Sequence, residues 1–253
     1  IFRPVGNFFS DVTHLGRTRG EIESLKEANE KLRNSLINRQ SADAELKQLK
    51  SVLDLAGTGQ YKVVSAKVIS LGSTSSFTQT ISIDAGTKLG VRQNMTVISG
   101  LGLVGVVKIS YPNHALVQLT TDPAFRVGAR VAGSQQIGIL SGQGTTKAVL
   151  QLLDNQTTLK VGDVILARGS QNNRPFVPGV PIGTVTSVDN AAGAVTQTAD
   201  VKLYPIFSTL SVVAVVVGAP KTDPRDALVP KAPAPTPVPT VTIYATPSES
   251  PTP

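Results

Sequence analysis

The sequence predicts a mainly β fold: a long N-terminal α-helix (coiled coil), two small β-barrel or sandwich subdomains, and a disordered Pro-rich tail. Three observations carry this expectation. Residues 11–56 are built from Glu, Lys, Leu, Ala, Asn and Gln and contain no Pro. Residues 61–217 break into about a dozen short β-branched runs punctuated by Gly, Asn, Pro and Ser. Ten of the 17 prolines fall in residues 218–253. The expected division is a short leading segment (1–10), a coiled-coil helix (11–56), a first β-subdomain (60–142), a second (143–217) and the tail (218–253). The first subdomain is open to sharing its first and last strands with the second.

The helix follows from its apolar period. With Leu15 at heptad position a, the a row is Leu15, Ile22, Asn29 and Leu36, and the d row is Thr18, Leu25, Leu32 and Arg39. The seam weakens at Arg39 and Asp43, and Leu46, Leu49 and Leu53 resume in what reads as a shifted frame. Asn at a lone a position fixes register and favours two strands. Glu21 at g and Lys26 at the following e suit pairing between parallel chains. Two readings stay open: self-association through Leu15, Ile22, Leu25, Asn29, Leu32 and Leu36, or a single amphipathic helix lying on its own domain. An unsupported helix of this length needs a partner for its apolar stripe. Gly57-Thr-Gly59 marks its end, as Gly past the last turn should.

The strand runs are 63–71, 78–84, 95–99, 103–109, 115–120, 126–132, 137–140, 148–153, 163–167, 182–188, 200–204 and 210–217. Short strands at this spacing, with no helical pattern between them, predict barrels or sandwiches. Ser65, Lys67 and Ser70 leave one face of the first run wet. The zone repeats itself. Gly90-Val91 leads to Met95-Thr-Val-Ile98 and then Gly102-Leu-Val-Gly105-Val-Val107, while Gly162-Asp-Val-Ile165 leads to Gly179-Val-Pro-Ile-Gly183-Thr-Val185. Paired glycines at a strand entry suit a bulge or a tight barrel corner. Gly86, Gly90, Gly102, Gly105, Gly162, Gly179 and Gly183 are therefore candidate structural glycines. Beyond 217, Ala-Pro-Ala-Pro-Thr-Pro-Val-Pro belongs to a chain that stays extended or disordered.

Composition narrows function by exclusion. Cysteine is absent, which removes disulfides and thiol chemistry. The net charge of +7 sits mostly in residues 57–217, with 12 basic residues against six Asp and no Glu. Those cations are spread singly with little aromatic interleaving, unlike a nucleic-acid surface; a mildly basic face toward anionic lipid or wall polymer fits better. Neither catalytic nor metal-binding spacing surrounds His14 or His114, although His114 with Asp122 or Ser141 is the combination a triad would need. The six Asp (Asp84, Asp122, Asp154, Asp163, Asp189 and Asp200) each sit beside a turn residue, where Asp bonds locally. Gly100-Leu-Gly-Leu-Val-Gly105 matches a phosphate-loop string, but no helix follows it. No catalytic residue, cofactor or metal is expected. No run of about 18 apolar residues spans a bilayer, and the opening at Ile1 reads as a processed or trimmed N-terminus.

The motifs Asp84-Ala-Gly-Thr-Lys-Leu-Gly-Val-Arg-Gln-Asn-Met-Thr-Val97, Gly102-Leu-Val-Gly-Val-Val107, Leu140-Ser-Gly142, Gly162-Asp-Val-Ile165 and Phe176-Val-Pro-Gly-Val-Pro-Ile-Gly-Thr-Val185, in that order, resemble the rod shape-determining MreC family over residues 1–217. Asn94 stands where the family usually has Gly, and Ala167-Arg-Gly169 replaces its usual Thr-Ser-Gly. The resemblance implies an N-terminal transmembrane anchor upstream, with residues 1–10 as the juxtamembrane segment on the extracytoplasmic face. It implies homodimers, a class B (transpeptidase) penicillin-binding protein as partner, MreD beside it, indirect linkage to MreB, and a non-catalytic scaffold that positions peptidoglycan synthases to maintain rod shape. The alternative is a periplasmic adaptor of an efflux or secretion system, whose coiled coil is a hairpin inserted within the β part. Exposed strand edges and the groove between the subdomains are candidate partner surfaces.

Overall fold

The computed structural model describes residues 8–72, 78–153, 159–189, 196–220 and 222–230, with residues 8–22 described for their backbone alone. Helix α1 (Phe8–Thr58) runs 51 residues, about 76 Å at 1.5 Å per residue. Gly59 and Tyr61 donate their amides to the carbonyls of Leu55 and Ala56 at 3.0 and 2.9 Å, closing the last turn.

Twelve strands follow. β1 (Lys62–Leu71), β2 (Thr80–Ile83), β3 (Thr96–Ser99), β4 (Gly102–Ser110) and β5 (Ala115–Leu119) come first. β6 (Arg126–Val131), β7 (Ile137–Gly142), β8 (Lys147–Leu152), β9 (Val164–Ala167), β10 (Pro181–Asp189) and β11 (Thr198–Leu203) come next, and β12 (Val212–Gly218) returns to the start. Each run read from the sequence is a strand. Asn94, at the position where a Gly is usual, adopts φ 59; Asn is among the few non-Gly residues that tolerate this region, so the turn into β3 is kept.

All pairings are antiparallel and both sheets close. The first barrel runs β1-β12-β3-β4-β5-β2 and the second β10-β11-β8-β7-β6-β9. Advancing each of β1 to β5 by six converts the order of the first ring into that of the second, with β12 taking the place of β6. The two halves of the chain are thus the same six-strand unit, and the sixth strands are exchanged. β6 follows β5 but closes the second barrel, pairing with β7 and β9; β12 follows β11 but closes the first, pairing with β1 and β3.

This corrects the expected division at 142/143. Strands β6 and β7 belong to the second barrel and β12 to the first, so the second barrel is an insertion between β5 and β12. Local period could not reveal the exchange, because β6 and β12 satisfy the same position in equivalent rings. Both rings being closed, the exposed strand edges proposed as partner surfaces do not exist among the described residues, since closure abolishes edges. No α-helix lies between β1 and β12 among the described residues, so the hairpin that an efflux adaptor would insert there is not found.

The core explains the unalternated Val runs. Ile81, Val97, Val104, Val117, Val213 and Val215 fill the first barrel. A second cluster joins the inside of the second barrel (Leu140, Leu150, Ile165, Val201) to the outer face of the first (Ile98, Leu103, Val106, Ala214, Val216). Strands β3, β4 and β12 are therefore buried on both faces, which removes the polar residues of every second position. In β1, by contrast, Ser65, Lys67 and Ser70 are exposed.

Because the second barrel's strands are contiguous, a fragment of residues 121–206 should fold by itself, whereas 60–142 lacks the strand that closes its ring. Thermal unfolding followed by circular dichroism should give a cooperative β transition for the first and none for the second; a cooperative 60–142 fragment would contradict the exchange.

Candidate interaction surfaces

Helix α1 presents two opposed faces. Gln48, Leu49, Val52, Leu55 and Ala56 turn toward the barrels, with Val52 and Ala56 buried. In the heptad frame these are positions f and c, on the back of a coiled coil, and g, on one flank of its seam. Gln48 accepts the amides of Ser211 and Val212 at 3.0 Å each and donates to the Thr209 carbonyl at 2.9 Å, clamping the chain just before β12. Glu45 pairs with Lys67 at 2.6 Å, and its hydrogen bond and charge raise the lysine's pKa; so exposed a pair adds little stability.

The opposite face is uncovered. Leu25, Leu32 and Leu36 are 69%, 64% and 58% exposed, and Asn29 lies among them. Leu46 and Leu53, also exposed, keep the d row of the same frame, while Leu49 belongs to the barrel-facing side. The apparent shift of frame is thus two faces overlapping in sequence. Leu15 and Ile22 lie outside the residues whose side chains are described. Shallow grooves flank the helix on the first barrel; the one lined by Ala42, Leu46, Leu49, Ala66 and Val212 encloses about 410 Å³.

At the joint between the subdomains the two barrels interlock. Thr96 of β3 donates its hydroxyl to the Pro175 carbonyl at 2.8 Å and accepts the Val177 amide at 3.0 Å. Tyr61, at the helix exit, donates to the Pro178 carbonyl at 2.6 Å; burial and then the Asp223 charge push its phenol pKa up. At the crossing from β5 to β6, the buried Asp122 carboxylate accepts the Gln79 and Ala124 amides at 2.6 and 2.7 Å and the Gln118 side-chain amide at 3.1 Å. Three donors satisfy a group that would otherwise be costly to bury.

The candidate structural glycines fall at this joint and at its equivalents. Gly102 opens β4 at φ 147, where an added Cβ would meet the Pro181 carbonyl of the second barrel. Gly105 and Gly183 lie mid-strand, each against a neighbouring carbonyl (Gln118 and Lys202). Both flank register shifts, Val97/Ile98 opposite β4 and Pro181/Gly183 within β10. Gly86 abuts the Tyr111 carbonyl, Gly90 and Gly162 occupy turns, and Gly179 at φ 87 lies under Pro224.

Residues 222–230 were expected to belong to the disordered tail, and here the structure differs. Leu228 is buried in the shared core, and Asp226 pairs at 2.6 Å with Arg130, whose side chain is only 5% exposed. The signal was present: Thr222-Asp-Pro-Arg-Asp-Ala-Leu228 carries mixed charge and a Leu ahead of the Pro repeat. Residues 231–253 lie outside the described residues.

His114 and Asp122 sit beyond opposite ends of β5, roughly 3.3 Å per residue apart along the strand, and do not form a dyad. His114 stacks on Tyr111 with ring centroids 4.5 Å apart. Among the described residues no group of His, Asp and Glu is placed to hold a metal ion, and no helix is apolar enough to cross a membrane.

The family "Rod shape-determining protein MreC, barrel core" matches residues 68–217. The cell shape-determining protein MreC of Streptococcus pneumoniae is 29% identical over 82% of this chain and 78% of its own length. A solved structure of MreC superposes with TM-score 0.62 at 25% identity, covering 70% of this chain and 99% of that one. The major periplasmic domain from the cell shape-determining filament MreC, in its orthorhombic form, gives 0.54 at 28% identity, covering 63% and 96%.

Replacing Gly102 with Ala should cost about 2–4 kcal/mol, combining backbone strain with overpacking against Pro181. Gly128→Ala, on an open strand face where nothing lies within 4 Å of the added carbon, should be neutral in the same denaturant titration. Equal effects would show that the barrel contact at Gly102 is not tight.

Proposed function

Since the chain belongs to the MreC family, we propose that it is a non-catalytic, extracytoplasmic scaffold of the cell-elongation machinery, which positions and regulates peptidoglycan synthases and maintains rod shape. The observation that carries this reading is the helix with two apolar faces, one seated on the barrels and the other exposed. A helix committed to its own domain needs one stripe; a second, of a/d spacing with a lone Asn, serves another copy.

In this proposal two chains pair in parallel through Leu15, Ile22, Leu25, Asn29, Leu32 and Leu36. Their anchors, supplied by a transmembrane helix upstream of residues 1–10, lie in one membrane. The docked face takes in the back and one flank of the coiled coil, so each protomer's barrel pair is carried to the outside of the seam. The interlocked joint makes that pair a rigid body, which suits a part whose action is to hold a synthase at a fixed distance and orientation. The partner implied by the family is a class B penicillin-binding protein, with MreD in the membrane and MreB reached indirectly. The mildly basic β surface faces anionic wall polymer or lipid. The role requires neither a cofactor nor a reacting group.

The seam is the testable part. Leu25→Glu with Leu32→Glu should convert a dimer to a monomer by multi-angle light scattering, leave the β spectrum intact, and fail to restore rod shape when it replaces the natural protein. An unchanged mass would mean that the helix is not the dimer interface.

A further inference from the structure

Strand β6 points Val127, Ala129 and Val131 into the second barrel, so Arg126, Gly128 and Arg130 lie on its outer face. Arg126 and Gly128 are exposed there, yet Arg130 is buried. What covers it is the segment beyond β12. The Arg130 Nη1 donates to Asp226 Oδ1 at 2.6 Å and to Gln135 Oε1 at 3.1 Å, while Asp223 stands 3.7 Å from Nη2. The second Asp226 oxygen accepts the Gly133 amide at 3.0 Å and the Gln135 side-chain amide at 3.3 Å. Burial raises the Asp226 pKa, but the donors from Arg130, Gly133 and Gln135 outweigh it and hold the carboxyl below its ordinary range.

The segment is seated as a peptide ligand is seated. Among the described residues it forms no ladder with any strand, and its backbone bonds are its own turns, Ala227 to the Pro224 carbonyl at 3.2 Å and Val229 to the Asp226 carbonyl at 3.1 Å. Its purchase comes from side chains: two carboxylates three residues apart on one guanidinium, Pro224 over Gly179, and Leu228 in the apolar core. The guanidinium is not saturated by them, since Nε and Nη2 find no hydrogen-bond partner among the described residues. Planar forks of this kind recognise carboxylates by geometry as well as charge.

We infer that Arg130, the Gly133–Gln135 turn and the slot for Leu228 form a recognition site for a short acidic peptide of the pattern Asp-x-x-Asp-x-Leu, occupied in this chain by its own residues 222–230. The site stands independently of the scaffold reading. Its occupant leaves the last strand of the first barrel and is held on the second, so it straps the two barrels across their joint. The charge pair makes the strap specific: without the segment, Arg130 loses both its cover and its counter-ion.

The test is whether the segment behaves as a ligand. A fluorescent peptide of residues 219–230 is titrated by anisotropy against the chain ending at 218 and the chain ending at 230. It should bind the shorter chain and bind the longer one at least tenfold more weakly, because the tethered segment competes at high effective concentration. The Asp226→Asn peptide should lose at least tenfold against the shorter chain. Equal binding to both chains, no binding to a folded shorter chain, or an indifferent Asp226→Asn peptide would each overturn the inference. If the shorter chain does not fold, hydrogen exchange on the full chain decides. Asp226→Asn should accelerate the amides of Ala227 and Val229 at least tenfold while β6 keeps its protection, and unchanged rates at those amides would overturn it equally.

Discussion

Barrel closure by an exchanged strand is the constraint on which the rest of this structure depends. A six-strand ring with one strand removed leaves two open edges, and each ring here is completed by the sixth strand of the other half. The chain must therefore cross between barrels twice. Asp122 holds the outward crossing with three donors, and Gln48 of the helix holds the return. With the ends of both connections fixed, the barrels cannot drift apart without opening a ring. The Thr96 hydroxyl and the close approach of Gly102 to Pro181 then set how they meet.

The same return crossing explains the helix. Clamping residues 209–212 to Gln48 commits the f, g and c positions of its last turns to the barrels. The a and d positions are left facing out, and nothing in the chain covers Leu25, Leu32 or Leu36 among the described residues. The alternatives left open by the sequence, a helix lying on its own domain or one that pairs with a copy, are thus not exclusive. Its final turns do the first, and its exposed stripe is shaped for the second.

Much of this was legible in local pattern. Strand positions followed from β-branched runs because Val, Ile and turn residues report the pleat directly, and the internal repeat announced two equivalent rings. What pattern could not report was which ring a strand joins. That choice depends on crossings such as 120–125, whose residues look like any turn. Arg130 was hidden for a related reason: an Arg on the outer face of a strand reads as solvated unless the segment that covers it is known. Its partner lay 96 residues away, inside a stretch whose prolines masked the Asp and Leu that matter. The glycines were visible as punctuation, but only the opposing carbonyls of Pro181, Gln118 and Lys202 say why a side chain would be excluded.

The central claim is that two copies meet along the exposed helical face and carry their barrels outward. The chain lacks cysteine, so single spin labels can be placed cleanly, one at Arg33 beside the seam and one at Lys160 on the second barrel. Double electron–electron resonance on the dimer should give a short inter-protomer distance at Arg33, set by helices about 8–10 Å apart. The Lys160 distance should be longer by at least the ~20 Å that two intervening helices occupy. Barrel labels as close as the helix labels, or no short distance at Arg33, would contradict the account.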